Sequence, residues 1–531
     1  MIELFLLIAS ILFFVSILAC KAGYKFGVPI LLLFLLVGMI FGVDGVGIQF
    51  SDMDSAQTIG TIALCIILFS GGLDTKLSDI KPVIKEGIVL ATVGVFLTAI
   101  ITGVIIKFVF DLSLSHIISI SLTSSLLLAS TMASTDSASV FSILRSKGLN
   151  LKNNLRPLLE AESGSNDPVA YMMTITLISL VKQGGDPDYL SAVLSVGIQL
   201  IVGAIAGIIL GKLFVWLINR LDIDNASLYP IAVFSVCIFI FSASYFMHGN
   251  SYLAVYLGGL IIGNSRFVHK RSSVNFFDGL AWLSQLIMFL TLGLLVSPHE
   301  LIPVIIPGLI ISIVMIFISR PLSVLLCLLP FKRKMKDIIF VSWGGLKGAV
   351  PIIFAIMALS ENVPHAQVMF NIVFFCTLVS LVLQGTSLPA MAKKLNIIDN
   401  PEELCQLKNF DMEFSDDIKS VTTEISISQE IIDNHGHYLW NLPLPENTLV
   451  VMVKRDGKYF VPKGKTELKA QDKLLLITDN RDTLIKTLTS MGVNSHSAEN
   501  ETENHNSILN DIKNSTPYKV FRYKILKKII K

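Results

Sequence analysis

The chain of 531 residues is dominated by long apolar segments separated by short polar loops. One helix needs about twenty apolar residues to cross a bilayer core of ~30 Å. Segments of that kind lie at 1–20, 28–44, 57–74, 87–110, 115–144, 157–181, 190–217, 228–247, 251–266, 279–297, 302–330, 337–360 and 367–392. The sequence therefore predicts an all-α polytopic membrane protein with about thirteen transmembrane helices.

The composition agrees with a membrane protein and excludes several other classes. Only 15% of the residues are charged, whereas a soluble protein carries about 25%. No basic stripe with interleaved aromatic residues occurs, so no nucleic-acid partner is expected. None of the six cysteines forms a C-x-x-C pair, so we expect neither a zinc site nor a disulfide framework, and no cofactor.

The charges of the loops predict the orientation of the chain. Basic residues are concentrated in every second loop, and basic loops stay on the cytoplasmic side. The basic loop residues are Lys21, Lys25, Lys76, Lys81, Lys85, Arg145, Lys147, Lys152, Arg156, Arg220, Arg266, Lys270, Arg271, Lys332, Arg333, Lys334, Lys336, Lys393 and Lys394. We therefore expect the N-terminus outside, the C-terminus in the cytoplasm, and an odd number of spans.

Two of the predicted spans contain segments that favour a broken helix. Residues 132–139 (MASTDSAS) are small and polar, and residues 343–351 (WGGLKGAVP) contain three glycines and a proline. The two segments lie in the fifth and the twelfth predicted spans. These spans are seven apart, and an odd offset means that they cross the membrane in opposite senses. Broken helices at matching positions are typical of transporters built from inverted repeats. We therefore expect inverted repeats with two broken helices.

The chain beyond the last span has the composition of a soluble protein. The domain organisation that we predict is a transmembrane domain over 1–395, a small cytosolic β-rich domain over 396–492 and a flexible polar and basic tail over 493–531. Short alternating strands at 449–453 and 473–477 support the β-rich domain. A tail rich in Ser, Asn and Glu cannot bury enough apolar surface to fold.

The strongest candidate for a functional site is the segment EAESGSNDP at 160–168. Asp167 lies near the middle of its span, one helical turn beyond Ser163. Pro168 has no N–H for the carbonyl of Gly164, which leaves that oxygen free. Ionisable residues within a membrane are costly and mark ion pathways. We therefore predict an alkali-cation site at Asp167, with further oxygens from the broken fifth span around Thr135 and Asp136.

A carboxylate in such a site can exchange ions. Burial disfavours its charged form and a bound cation favours it, so a proton and a cation compete for one pair of oxygens. The alternative is that Asp167 and Asp136 are structural and hydrogen bonded to neighbouring helices.

Three further charged residues within the spans are predicted to have a structural role. Glu162 and Arg320 are plausible partners of opposite sign. Lys347 can neutralise dipole ends in the second broken helix, although a charge that replaces a second cation is the functional alternative.

At these residues the chain resembles the monovalent cation:proton antiporter-1 family, and most closely its bacterial potassium/proton antiporters of the cell-volume-regulation type. The motifs that carry the resemblance are residues 38–47 (GMIFGVDGVG), 134–136 (STD), 162–168 (ESGSNDP), 277–283 (FDGLAWL), 319–323 (SRPLS) and 383–387 (LQGTS). The family motif Gly-Leu-Arg-Gly reads Gly-Leu-Lys-Gly here, with Lys347 in place of arginine.

The resemblance implies a homodimer in the bacterial inner membrane that exchanges K+ or Na+ for H+. It implies that Asp167 carries the cation or proton, and that Asn166 belongs to the same ion site and marks the electroneutral branch. It also implies that Thr135, Asp136 and Ser163 line the site. It also implies that Glu162 pairs with Arg320. The cytosolic part is similar to the C-terminal subdomain of potassium transport regulators, with a small molecule as a candidate regulator.

Two other function classes make demands that the sequence does not meet. A potassium channel with a cytosolic regulatory domain would need a carbonyl filter such as Thr-Val-Gly-Tyr-Gly, which the sequence lacks. An intramembrane aspartyl hydrolase would need two aspartates that share a proton, and the Asn-Asp-Pro context of Asp167 gives no support for that.

Overall fold

The computed structural model describes residues 2–26, 29–48, 50, 52–113, 120–147, 149–183, 188–221, 223–399, 408–409, 421–427, 429–445, 448–455 and 458–478. It divides into two compact units, Met1–Asp399 and Asn400–Lys531. The predicted flexible tail at 493–531 lies outside the described residues.

The first unit is almost entirely helical. Its helices are α1 Ile2–Phe26, α2 Ile30–Phe41, α3 Met53–Asp74, α4 Leu77–Ile80, α5 Ile84–Val89, α6 Val95–Ser113, α7 Leu122–Thr131, α8 Ser137–Ser146, α9 Leu155–Gln183, α10 Tyr189–Ile218, α11 Leu228–Phe246, α12 Ser251–Gly263, α13 Lys270–Leu295, α14 Pro298–Leu301, α15 Ile305–Val314, α16 Arg320–Leu328, α17 Met335–Trp343, α18 Val350–Ser360, α19 Ala366–Ser380 and α20 Thr386–Lys394. Single π-helical turns at Leu90–Gly94, Met315–Ser319 and Leu381–Gly385 join α5 to α6, α15 to α16 and α19 to α20.

Within the described residues, seven helical stretches are long and apolar enough to cross a membrane, and five shorter helices are apolar. The predicted number of about thirteen spans therefore stays a prediction. Helix α13 begins at Lys270, nine residues before the apolar span that is predicted to start near residue 279. The first turns of α13 are polar and amphipathic, and a window that measures only hydrophobicity excludes them.

Both predicted breaks, 132–139 and 343–351, contain an interruption between helices, and each interruption is shorter than predicted. The first unwound segment, residues 132–136, separates α7 from α8, and the second, residues 344–349, separates α17 from α18. Asp136 ends the first segment as the N-cap of α8, where its Oδ1 accepts a hydrogen bond of 3.1 Å from Ser139 N. Pro351 lies in the first turn of α18, where a missing N–H costs no helical bond.

Glycines allow several helices to pack backbone against backbone. Where α2 crosses α13, a Cβ on Gly293 would lie 2.8 Å from Cα of Gly38. Membrane helices have little hydrophobic driving force to associate, so close van der Waals contact between small residues stabilises their pairing. The crossing therefore depends on the absence of a side chain at Gly293.

We expect Gly293→Val to lower the free energy of unfolding by about 1–3 kcal/mol, because the added atoms force the two helices apart. The measurement is thermal unfolding of the purified full chain in detergent. Gly279→Val on the same helix is the matched control, since no described atom lies within 4 Å of a Cβ built there. Equal unfolding temperatures for the two variants would contradict the assigned packing.

A two-stranded antiparallel sheet ties the end of the first unit to one of its loops. Strand β1, Asn150–Leu151, lies between α8 and α9 and pairs with β2, Ile398–Asp399. The N–H of Lys152 also donates to the carbonyl of Ile397 at 2.9 Å. The last residues of the unit are thus fixed to the loop that joins α8 to α9.

The second unit contains a five-stranded antiparallel sheet in the order β3-β4-β7-β5-β6. Its elements are β3 Lys408–Asn409, β4 Val421–Ser426, α21 Gln429–His435, β5 Thr448–Arg455, β6 Lys458–Phe460 and β7 Lys473–Thr478. Burial raises the pKa of the Asp472 carboxyl, but hydrogen bonds from Arg455 and from the backbone of Lys469 outweigh this effect and hold the pKa below its usual range. The cytosolic location and regulatory role of this unit stay predictions.

Candidate functional site

The two unwound segments meet at the centre of the candidate site. The N–H of Asp136 in the first segment donates to the carbonyl of Leu346 in the second at 2.8 Å. A Cβ on Gly348 would lie 3.0 Å from Cγ of Asp136, so the second segment needs a glycine where it packs against the side chain of Asp136. This bond thus gives a partner to one N–H and one carbonyl that lie outside the helices.

Asp167 lies beside this junction on α9, with only 7% of its surface exposed. Its Oδ1 accepts a hydrogen bond from the hydroxyl of Ser134 in the first unwound segment. The carbonyl of the same Ser134 accepts a hydrogen bond of 2.8 Å from the ammonium group of Lys347. Ser134 thus connects Asp167 to Lys347, a role that the sequence did not assign to it.

Ser163 and Asn166 fasten α9 to the first unwound segment. The hydroxyl of Ser163 donates to the carbonyl of Thr135 at 2.9 Å and accepts from the N–H of Ser137 at 3.1 Å. The amide of Asn166 donates to Thr135 Oγ1 at 2.6 Å. Asn166 and Thr135 are both buried, so in this conformation they hold the backbone beside Asp167.

The carboxylate of Asp136 is engaged as a helix cap. Its Oδ2 accepts from the hydroxyl of Ser139 at 2.5 Å, and its Oδ1 accepts from the backbone of the same residue. Both oxygens thus have a local partner, whereas the only described hydrogen bond of Asp167 is the one from Ser134. Of the two carboxylates at the junction, Asp167 is the one with the greater capacity for a ligand.

A cavity of about 220 Å³ reaches the site. Asp136, Ser163 and Asp167 line it, while Thr135 and Asn166 do not. Arg145, near the end of α8, and Arg156, near the start of α9, also line the cavity. Carboxylate, hydroxyl and carbonyl oxygens suit hard cations. Among the described residues no group of three or more His, Cys, Asp or Glu could hold a metal ion.

Glu162 and Arg320 form an ion pair close to the site. Arg320 Nη2 lies 2.6 Å from Glu162 Oε1, and the two side chains are only 4% and 1% exposed. Within the described part of the chain, Arg320 Nε and both carboxylate oxygens have no aligned hydrogen-bond partner. The contact is therefore mainly a charge interaction in a water-poor environment, and it links α9 to α16.

Similar proteins agree with this architecture. Residues 9–394 match the family model described as sodium/hydrogen exchanger, transmembrane. The K+/H+ antiporter NhaP of Alkalimonas amylolytica is 37% identical over 91% of this chain and 82% of its own length. The K+/H+ antiporter NhaP2 of Shewanella oneidensis is 37% identical over 89% of this chain and 81% of its own.

A solved structure shares the fold. The sodium proton antiporter MjNhaP1 from Methanocaldococcus jannaschii at pH 8 superposes with a TM-score of 0.60 at 24% identity, over 72% of this chain and 99% of that one. The match to the family model covers most of the chain, and the two relatives extend it into the second unit. The chain belongs to the sodium/hydrogen exchanger family.

Proposed function

We propose that the protein exchanges a monovalent cation for H+ across the bacterial inner membrane, with K+ as the first choice and Na+ as the alternative. Asp167 is the proposed site that the two ions share. Membership of the sodium/hydrogen exchanger family supports cation/proton exchange, and the names of the two relatives favour K+.

The observation that carries the proposal is the position of Asp167. It is a buried carboxylate beside the junction of two unwound segments, and it lines a cavity. Such a group binds a proton or a cation more readily than it stays charged and empty, because burial penalises the unpaired charge. If the empty charged site cannot cross the membrane, each cation that moves one way obliges a proton to move the other way.

Electroneutral exchange follows from one carboxylate with one negative charge. One proton or one K+ neutralises that charge equally, so one-for-one exchange moves no net charge. The ammonium group of Lys347 donates to the carbonyl of Ser134 and not directly to Asp167. This contact favours the structural role of Lys347 over that of a charge that replaces a second cation.

The proposed topology has about thirteen spans with the N-terminus outside and the C-terminus in the cytoplasm. Arg145 and Arg156 line the cavity, and basic residues next to short loops stay on the cytoplasmic side. Asp167 is therefore reached from the cytoplasm in this conformation. By analogy with the family, we also propose that the protein is a homodimer in which a core domain moves. The second unit is proposed to lie in the cytosol and to respond to a small molecule.

The test is a transport assay in everted membrane vesicles of cells that make the protein. Adding K+ to vesicles with an acidic interior is expected to collapse the proton gradient. The rate is expected to be the same when the permeant anion thiocyanate dissipates the membrane potential. Vesicles without the protein are the control, and Na+, Li+ and Rb+ rank the cations. K+ flux that follows voltage and moves no protons would contradict the proposal and favour a channel.

A further inference from the structure

The motif at 383–387 has no part in the proposed ion site, although it faces the second unwound segment. It follows α19 and includes the end of the π-helical turn at Leu381–Gly385. Such a turn inserts one residue into a helix and is frequent at functional sites. Gln384 lies in this turn and is 1% exposed, so its amide must find partners inside the protein.

The amide of Gln384 bonds to Trp343, just before the second unwound segment, and to Ser380, which contacts the segment at Lys347. Its Nε2 donates to the carbonyl of Trp343, the last residue of α17, at 3.0 Å. Its Oε1 accepts from the hydroxyl of Ser380 at 2.6 Å, and that hydroxyl accepts from the N–H of Lys347 at 3.0 Å. Gln384 therefore holds the backbone at the start of the segment directly and at Lys347 through Ser380.

The side chain of Lys347 connects this arrangement to the ion site. From the backbone position held by Ser380, its ammonium group reaches the carbonyl of Ser134, whose hydroxyl donates to Asp167. Gln384, Ser380 and Lys347 also line one small void of about 10 Å³ with Arg320, large enough for about one water molecule. With so little free volume, the segment has few alternative positions while these bonds remain.

We infer that Gln384 is a positioning residue for ion exchange: its amide fixes the second unwound segment so that Lys347 reaches Ser134 and Ser134 orients the carboxylate of Asp167. This inference rests on the proposed function. Gln384 touches neither Asp167 nor the cavity in the described contacts, so it acts through Lys347 and Ser134.

The test is a double-mutant cycle on K+ exchange in everted vesicles. Gln384→Met keeps the length of the side chain and removes its hydrogen bonds. We expect the KM for K+ to rise roughly tenfold, equivalent to about 1.4 kcal/mol, which is the size of one buried hydrogen bond. A protein that merely folds less well would show a lower maximal rate and an unchanged KM, so the KM separates positioning from stability.

Three further variants make the result specific. In a Lys347→Met background, Gln384→Met is expected to change the KM less than about twofold, because the two residues act in series. Ser380→Ala is expected to raise the KM as Gln384→Met does. Gln367→Met on the same helix is the control, since Gln367 is exposed and donates to Glu300 away from the segment.

The outcomes separate the inference from the function on which it rests. Normal exchange by the wild-type protein with an unchanged KM in Gln384→Met and Ser380→Ala would refute the positioning role alone. Fully multiplicative effects of Gln384→Met and Lys347→Met would also refute it. Wild-type membranes that exchange no alkali cation for protons would refute the proposed function and the positioning role together.

Discussion

Replacing Asp167 with Asn is expected to reduce K+-dependent proton movement at least about 100-fold, equivalent to roughly 2.7 kcal/mol of lost ion binding. The amide has nearly the same shape and can still accept a hydrogen bond from Ser134, but it carries no charge for a cation and accepts no proton at physiological pH. The measurement is dequenching of a pH-sensitive dye in everted vesicles that contain equal amounts of wild-type and variant protein.

Asp111→Asn is the matched control for this substitution. Asp111 lies at the end of α6, where it is exposed and paired with Lys107 at 2.7 Å, so its loss is expected to leave exchange unchanged. Asp167→Glu keeps the charge but lengthens the side chain, and is expected to retain partial activity. Exchange at the wild-type rate by correctly inserted Asp167→Asn would mean that another group carries the ions.

Breaking the buried ion pair is expected to have the largest effect on stability. Glu162→Gln removes the charge that faces Arg320 and leaves a guanidinium ion unpaired in an environment that excludes water. The expected loss in the free energy of unfolding is about 3–5 kcal/mol. It is measured as a lower unfolding temperature of the full chain in detergent.

Two comparisons show whether the loss comes from an unpaired charge. The double variant Glu162→Leu with Arg320→Met replaces both charges by apolar groups and is expected to recover most of the lost stability. Glu361→Gln is the control for an exposed pair, because Glu361 contacts Lys182 at 2.5 Å with both side chains about half exposed, and its loss is expected to cost less than about 1 kcal/mol. An equal loss for Glu162→Gln and Glu361→Gln would rule out a special role for burial.

Local composition was enough to predict the helical architecture and the two interruptions. Glycine, proline and short polar residues weaken a helix wherever they cluster, so the breaks at 132–136 and 344–349 were visible without tertiary information. The strands β5 and β7 were recognisable for a similar reason, because their apolar residues are concentrated between polar turns.

The hydrogen-bond partners within the site could not be predicted in the same way. Ser134, Lys347 and Gln384 are far apart in the sequence, and no local pattern records which hydroxyl faces which carbonyl. Asn166 was predicted beside the ion, yet its amide donates to the hydroxyl of Thr135. An interrupted helix leaves polar groups without helical partners, and buried side chains such as that of Asn166 bind them. Ligand roles for Thr135 and Asn166 stay predictions.

The strand pair β1–β2 has a mechanical consequence. The backbone that continues at residue 400 leaves the membrane unit from a point bonded to the loop between α8 and α9. Helix α8 is capped by Asp136 and helix α9 carries Asp167, so both aspartates belong to helices that this loop joins directly. A pull or a twist arriving along the chain from residue 400 is therefore transmitted to these two helices through the β1–β2 hydrogen bonds, as well as to α20 through the backbone.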